Sequence, residues 1–173
     1  MSGYRKLLSF KQATIVCDFN VEFLKKYVSR FSRTFGQMEQ AARSGKQNIV
    51  EGCQASRTSS KTELKLLGVA RASFEELLAD YEDFLRQRGL PIWDKDSPQA
   101  QEVRRLSYKS DKSYTTYESY MSAAETAANC AICMIHQTNY LLDRQIDVLE
   151  KKFIKEGGYT ESLYRKRRDY RGY

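Results

Sequence analysis

Proline and glycine are scarce in this chain. Two prolines and nine glycines in 173 residues leave few helix breaks and few tight turns, which favours long helices over a turn-rich β fold. No apolar run approaches the roughly 18 residues needed to cross a bilayer. The opening residues MSGYRKLLSFKQ carry no apolar export core. The expectation is therefore a cytoplasmic protein without membrane contact, whose four cysteines stay reduced. Neither GxxxxGKS/T nor GxGxxG occurs, so no phosphate loop is signalled, and the ExxH pair of di-iron bundles is missing too.

Histidine is limited to His136. It follows Cys130 and Cys133 at i+6 and i+3, which suggests zinc at first sight. On a helix, however, i to i+6 is about 600° of turn, so His136 points away from Cys130. A structural zinc also wants four ligands, and Cys17 and Cys53 fall on other helices. Core thiols explain the pattern better. No Ser or Cys nucleophile sits in a known motif beside the histidine. The expectation is no metal, no cofactor and no enzyme activity.

What the chain has in abundance is helical periodicity. Leu64, Leu67, Phe74, Leu78, Tyr81 and Leu85 step by three and four, with Arg71 in the missing slot, as in a helix packed lengthwise on others. Ser60 and Glu63 form a capping box at its start, and Gly89 with Pro91 ends it near Arg88. A first helix is expected over Ser9–Phe31, with Ser9 and Gln12 as its capping box and Phe31 on its inner face. A second runs from about Arg33 or Gly36 to Cys53, ended by Gly52 and the polar stretch Gln54–Ser59. Its Ala41 and Gly45 would let a neighbouring backbone approach. A short helix follows Ser97 over Pro98–Tyr108. The fourth main helix is expected over Thr115–Lys155, with Asn139 in its seam as a register-fixing polar residue. Gly157-Gly158 stops it, and Thr160–Tyr170 forms a last helix with Leu163 as its apolar anchor. The fold expected is all-α, an antiparallel up-down four-helix bundle over 1–156 with a short extra helix before the fourth. Residues 157–173 form a basic C-terminal extension.

Charge is unevenly placed within the net +7. Residues 1–58 hold ten Lys/Arg against four Asp/Glu, residues 59–162 hold 14 against 17, and residues 163–173 hold five against one. Basic ends around a mildly acidic middle suit a polyanionic partner. The candidate phosphate-binding residues are Arg43 and Lys46, then Arg57, Lys61, Lys65 and Arg71, then Arg165, Lys166, Arg167, Arg168 and Arg171. No base-reading motif accompanies them, so binding would follow shape and charge. Tyr108, Tyr114, Tyr117 and Tyr120, with Lys109 and Lys112 nearby, either stack on bases or form an aromatic end-cap of the bundle or a subunit interface.

Gln37-Met38-Glu39-Gln40-Ala41 through Ser44, then Asn48-Ile49-Val50-Glu51-Gly52, resembles the pattern "Q-I-R-R-A-x-x-S-I-x-x-N-I-A-E-G". That pattern belongs to the four-helix-bundle family named for proteins encoded in intervening sequences of bacterial 23S rRNA genes. Arg57, Ser59 or Ser60, Glu63, Leu67, Ala70, Ser73 and Glu76 continue the likeness. Asn139–Gln145 through Phe153, Gly157-Gly158, Glu161 and Arg165–Arg168 look like the suffix extension of one branch. The resemblance implies an antiparallel bundle that assembles into a ring, typically a homopentamer. Some relatives bind nucleic acid and a reverse transcriptase through basic surfaces. Glu39-Gln40 departs from the family's Arg-Arg pair, and Arg43, Lys46 and the tail are left to compensate. Two functions are thus expected. The first is a non-catalytic, oligomeric nucleic-acid-binding protein, RNA favoured over DNA. The alternative is an oligomeric scaffold for another protein such as a reverse transcriptase.

Overall fold

The structure, a computed structural model, describes residues 3–172; Met1, Ser2 and Tyr173, the last residue of the basic tail, lie outside the described residues. All regular structure among the described residues is helical. Six α-helices form: α1 (Leu8–Tyr27), α2 (Arg33–Ala55), α3 (Ser60–Gln87), α4 (Pro98–Leu106), α5 (Ala124–Glu156) and α6 (Tyr159–Arg171). Two 3-10 segments, Gly3–Lys6 and Tyr114–Ser122, precede α1 and α5. No helix among the described residues is long and apolar enough to cross a membrane.

The long helices touch in a closed cycle: α1 and α3 each pack on both α2 and α5. Cross-helix bonds give the directions. Cys17 Sγ donates to Ala42 O at 3.1 Å and Asn20 Nδ2 to Met38 O at 3.2 Å. Ser9 Oγ donates to Gln145 Oε1 at 2.6 Å and Gln12 Nε2 to Gln137 Oε1 at 3.3 Å. Arg71 reaches Asp143, and Asn139 reaches Glu75. In each couple, residue numbers fall along one helix as they rise along the other. The enclosed space is filled by large rings. Phe23 lies 4.8 Å from Tyr81 and 4.9 Å from Phe84 between centroids, and all three are buried. Most of the expected seam of α3 is buried, at Leu67, Phe74, Leu78, Tyr81 and Leu85, while Leu64 at its start is half-buried.

Two glycines of α2 are sites of close approach. A Cβ on Gly45 would stand 2.6 Å from the buried Phe74 ring. The neighbour that comes close is thus an aromatic ring of α3, not a backbone. Gly52 does not stop α2, which runs three residues further to Ala55. A Cβ there would lie 3.3 Å from Glu63 O, so Gly52 makes room for the start of α3.

Several expected boundaries move. α1 ends at Tyr27, because Val28 takes an extended backbone (φ −121°, ψ 132°). Phe31, expected inside, is 99% exposed. Ser9 is not a cap; it is buried and bonded to Gln145, with Leu7 at the N-cap. Ser59 rather than Ser60 caps α3, accepting from Thr62 N at 3.2 Å. α4 stops at Leu106, short of Tyr108. The fourth main helix begins nine residues later than expected, at Ala124. The Met121 carbonyl is held from α1, by Lys26 Nζ at 2.7 Å and Tyr27 OH at 2.6 Å. Ala123 is extended (φ −139°, ψ 151°), so Tyr114–Ser122 stays a separate 3-10 segment. Leu163, the expected apolar anchor of α6, is 45% exposed, and no residue of α6 is buried.

The two kinds of glycine separate cleanly in stability. Gly68 lies mid-helix in α3 with nothing within 4 Å of an added Cβ, so Gly68→Ala gains about 0.5–1 kcal/mol of helix preference. Gly45→Ala gains the same preference but overpacks against Phe74, costing about 1–3 kcal/mol. Thermal melts should move in opposite directions, up for Gly68→Ala and down for Gly45→Ala. A rise for both would show that the Gly45–Phe74 contact is loose.

Candidate nucleic-acid interface

The α2–α3 turn presents Arg57, Lys61 and Lys65, all exposed. Ser59 N closes the turn on Ala55 O at 2.9 Å, and the Ser59 cap starts α3 pointing away from it. The same end of the molecule receives the N-terminal segment. Gly3–Lys6, which carries Arg5 and Lys6, packs on α1 and on α2 beside Cys53. The C-terminal part of α5 arrives there as well. Burial lifts the Glu63 carboxyl above its ordinary range, and Lys152 of α5 draws it partly back. Glu63 is thus a local acid enclosed among cations.

α6 adds the densest charge. Gly157 (φ 77°) ends α5 in a left-handed turn that only glycine adopts readily. The Glu161 carboxylate accepts from Gly158 N at the start of α6, and the Arg165 guanidinium donates to Glu156 O. Arg165, Lys166, Arg167, Arg168 and Arg171 are all exposed. Among the described residues only Arg168 of these five holds an acid, Asp169 at 3.1 Å, and both side chains are more than half exposed. Such a pair is worth at most about 1 kcal/mol and opens readily to a stronger anion.

The structure therefore brings the Arg57–Lys61–Lys65 set to the end of the molecule from which α6 departs. It does not bring in the other three candidates. Arg43 and Lys46 lie midway along α2, with Lys46 near enough to favour the Cys17 thiolate, although burial dominates and pushes that thiol up to about 12. Arg71 sits in the α3–α5 contact. Its Nε donates to Asp143 Oδ1 at 3.0 Å and its Nη1 to the Glu75 carboxylate. Asn139 Nδ2 donates to that same carboxylate at 3.2 Å. With two carboxylates already on it, Arg71 joins helices and has little charge left for a phosphate. Asp80, near the far end of α3, belongs to an acidic set. Burial, then Glu76 and Asp83, raise its carboxyl above the ordinary range.

Sequence reasoning missed a groove. An open cavity of about 1210 Å³ lies between α1, α5 and the segment carrying α4. α1 contributes Leu8, Lys11 and Asp18, and α5 contributes Ile132, Cys133, His136 and Tyr140. The opposite wall is held down by Asn129 of α5, which accepts from Trp93 N at 2.7 Å and donates to Pro91 O at 2.9 Å. That clamp sets Trp93 and Ile92 on the rim. Beyond α4 the wall continues through Tyr108, Lys109 and Lys112. The tyrosine cluster divides here. Tyr117 is buried, Tyr114 packs edge-on to Phe19 and Tyr120 edge-on to Trp93. Tyr108 alone projects, 87% exposed. The alternation of Tyr and Lys over 108–114 was a visible signal; its partners on α1 and α5 were not.

Cys133 and His136 both line the groove, while Cys130 is buried in the core. Burial pushes the Cys133 thiol up to about 11, against a downward pull from Arg104. A nucleophilic cysteine needs its thiolate near neutral pH, so Cys133 is a thiol here. Alkylation at Cys133, followed by peptide mass, should accelerate about tenfold per pH unit from pH 7 to 10. A plateau at or below the ordinary thiol value of 9.0 would contradict this environment.

Comparison with family models, with curated proteins and with solved structures returns no match for this chain.

Proposed function

We propose that this chain is a non-catalytic, self-associating nucleic-acid-binding protein, built as an antiparallel up-down four-helix bundle. The observation that carries the reading is convergence. Cations of the α2–α3 turn and the N-terminal segment are remote in sequence, yet lie at one end, the end from which α6 departs with its own five cations. Phosphate binding requires just such a cluster of unpaired, exposed Lys and Arg, and releases counterions as it forms. The absence of any base-reading motif makes binding led by charge and shape, with RNA favoured over DNA. Arg57, Lys61, Lys65 and the five cations of α6 are the residues assigned to it. Arg43 and Lys46 contribute from the side of α2, and Arg71 holds helices together.

One observation favours the alternative, a scaffold for another protein such as a reverse transcriptase. Tyr159, Leu163 and Tyr170 recur along one face of α6 and are exposed, as are Val148 and Ile154 on α5. Apolar residues gathered on exposed helices mark contacts between proteins. Self-association through this face, in a ring such as a homopentamer, is compatible with either reading.

Fluorescence anisotropy with labelled RNA and duplex DNA across a salt series decides between them. Binding at about 50 mM salt that weakens steeply as salt rises is the expected result. Replacing Arg165, Lys166, Arg167 and Arg168 together by alanine should weaken binding at least tenfold and flatten the salt dependence. The melting temperature should hold, because α6 buries no residue. No binding at low salt, or affinity indifferent to salt, removes the phosphate-led reading and leaves the scaffold.

A further inference from the structure

We propose that the groove between α1, α5 and the α4 segment holds an unpaired stretch of nucleic-acid strand, with its bases stacked on exposed aromatic rings. The proposal rests on the reading that the protein binds nucleic acid, but it concerns a different surface from the basic end.

Three properties of the groove lead there. The first is size: about 1210 Å³, open along one side, exceeds the range of roughly 300–1,000 Å³ usual for enclosed small-molecule sites. A polymer can lie in an open channel of that volume. The second is charge. Lys11, Lys95, Lys109 and Lys112 line it, and among the described residues none of these four is in an ion pair. Arg104 adds a fifth cation, against two acids, Asp18 and Glu82. An anion is favoured, and the equally basic α6 of another copy is not. The third is the kind of apolar surface. Tyr140 is 62% exposed and Tyr108 87% exposed, and neither packs against another ring among the described residues. Trp93, held by Asn129, shows its half-buried indole on the same rim. Cations tracking a backbone beside aromatic faces are the requirements of single-strand binding, in which each stacked base contributes without reading its identity.

The groove also lies along the route from the basic end. Leu8 and Lys11 sit at the start of α1, just after Arg5 and Lys6. A strand whose backbone is gripped at the basic end can continue along α1 into the groove.

Trp93 is the only tryptophan, so its fluorescence reports on the groove. Titration with a uridine oligomer of about 12 nucleotides should quench it, and an RNA duplex should not. Tyr140→Ala, and separately Lys109→Gln with Lys11→Gln, should each weaken the single strand about tenfold while leaving duplex binding unchanged. All three positions are exposed, and circular dichroism checks that the variants fold. Duplex binding without single-strand quenching, or full affinity in the variants, overturns the groove site alone. Loss of all nucleic-acid binding in the unaltered protein overturns this proposal together with the wider reading. Polyglutamate competing as well as the oligomer would show an acidic peptide site and also overturn it.

Discussion

A single buried carboxamide ties three of the long helices together. Asn20 of α1 accepts from Tyr81 OH of α3 at 2.8 Å and donates to Met38 O of α2 at 3.2 Å. It is 1% exposed, and Tyr81 and Met38 are fully buried. Apolar side chains alone tolerate sliding by a turn with modest loss, since burial is not directional. A buried amide is not so forgiving: left without partners it costs about 1–3 kcal/mol. Slippage of α1, α2 or α3 would break one of its bonds, so this link selects one register among those the apolar stripes would permit. Phe23 packs on Tyr81, the ring whose hydroxyl donates to Asn20, and both rings are buried.

Register in turn decides where charge goes. With Asn20 opposite Met38, and Ser44 within 3.0 Å of Ser73, the α2–α3 turn falls beside the N-terminal segment. Ser9 on Gln145 brings the C-terminal part of α5 to the same place. The cations gathered there repel one another, which is a cost to stability without a ligand. Placing the densest of them on α6, which buries nothing, keeps that cost out of the core. The division between a neutral, tightly packed interior and a charged, unpacked extension follows from this separation. It is also why charge at the end can change with little effect on the bundle.

Much of the architecture was legible because it is periodic. The stepping of Leu67, Phe74, Leu78, Tyr81 and Leu85 gave the buried face of α3, and Ser97-Pro98 and Gly157 marked real helix boundaries. Misreadings arose where a distant partner overrides local preference. Nothing near Val28 forbids a helix, so α1 was extended to Phe31. Nothing local to Met121 discloses that Lys26 and Tyr27 hold its carbonyl. Arg71 looked like a phosphate ligand because Glu75 is one turn away in sequence but Asp143 is 72 residues away. The capping shift from Ser60 to Ser59 has another origin, two adjacent residues able to do the same work. The groove was illegible for the strongest reason. Its walls come from residues near 11, 93, 109 and 140, and no local pattern links them.

The groove exists because the chain between α3 and α5 passes beside α1 and α5 without sealing the space between. Two clamps hold that crossing in place: Asn129 on the Pro91–Trp93 stretch, and Lys26 with Tyr27 on Met121. Between them the segment carries α4, whose Ala100 and Val103 reach the interior, while the residues after it project outward. α1 and α5 pack directly on each other, so the connection adds a third wall beside that contact. Beside it Tyr140 and Leu8 stay exposed, while Ile132, which also lines the groove, is buried. Leu8 is 66% exposed, and Lys11 and Lys109 line the same groove. Apolar area left open beside cations is area that packing between helices does not use.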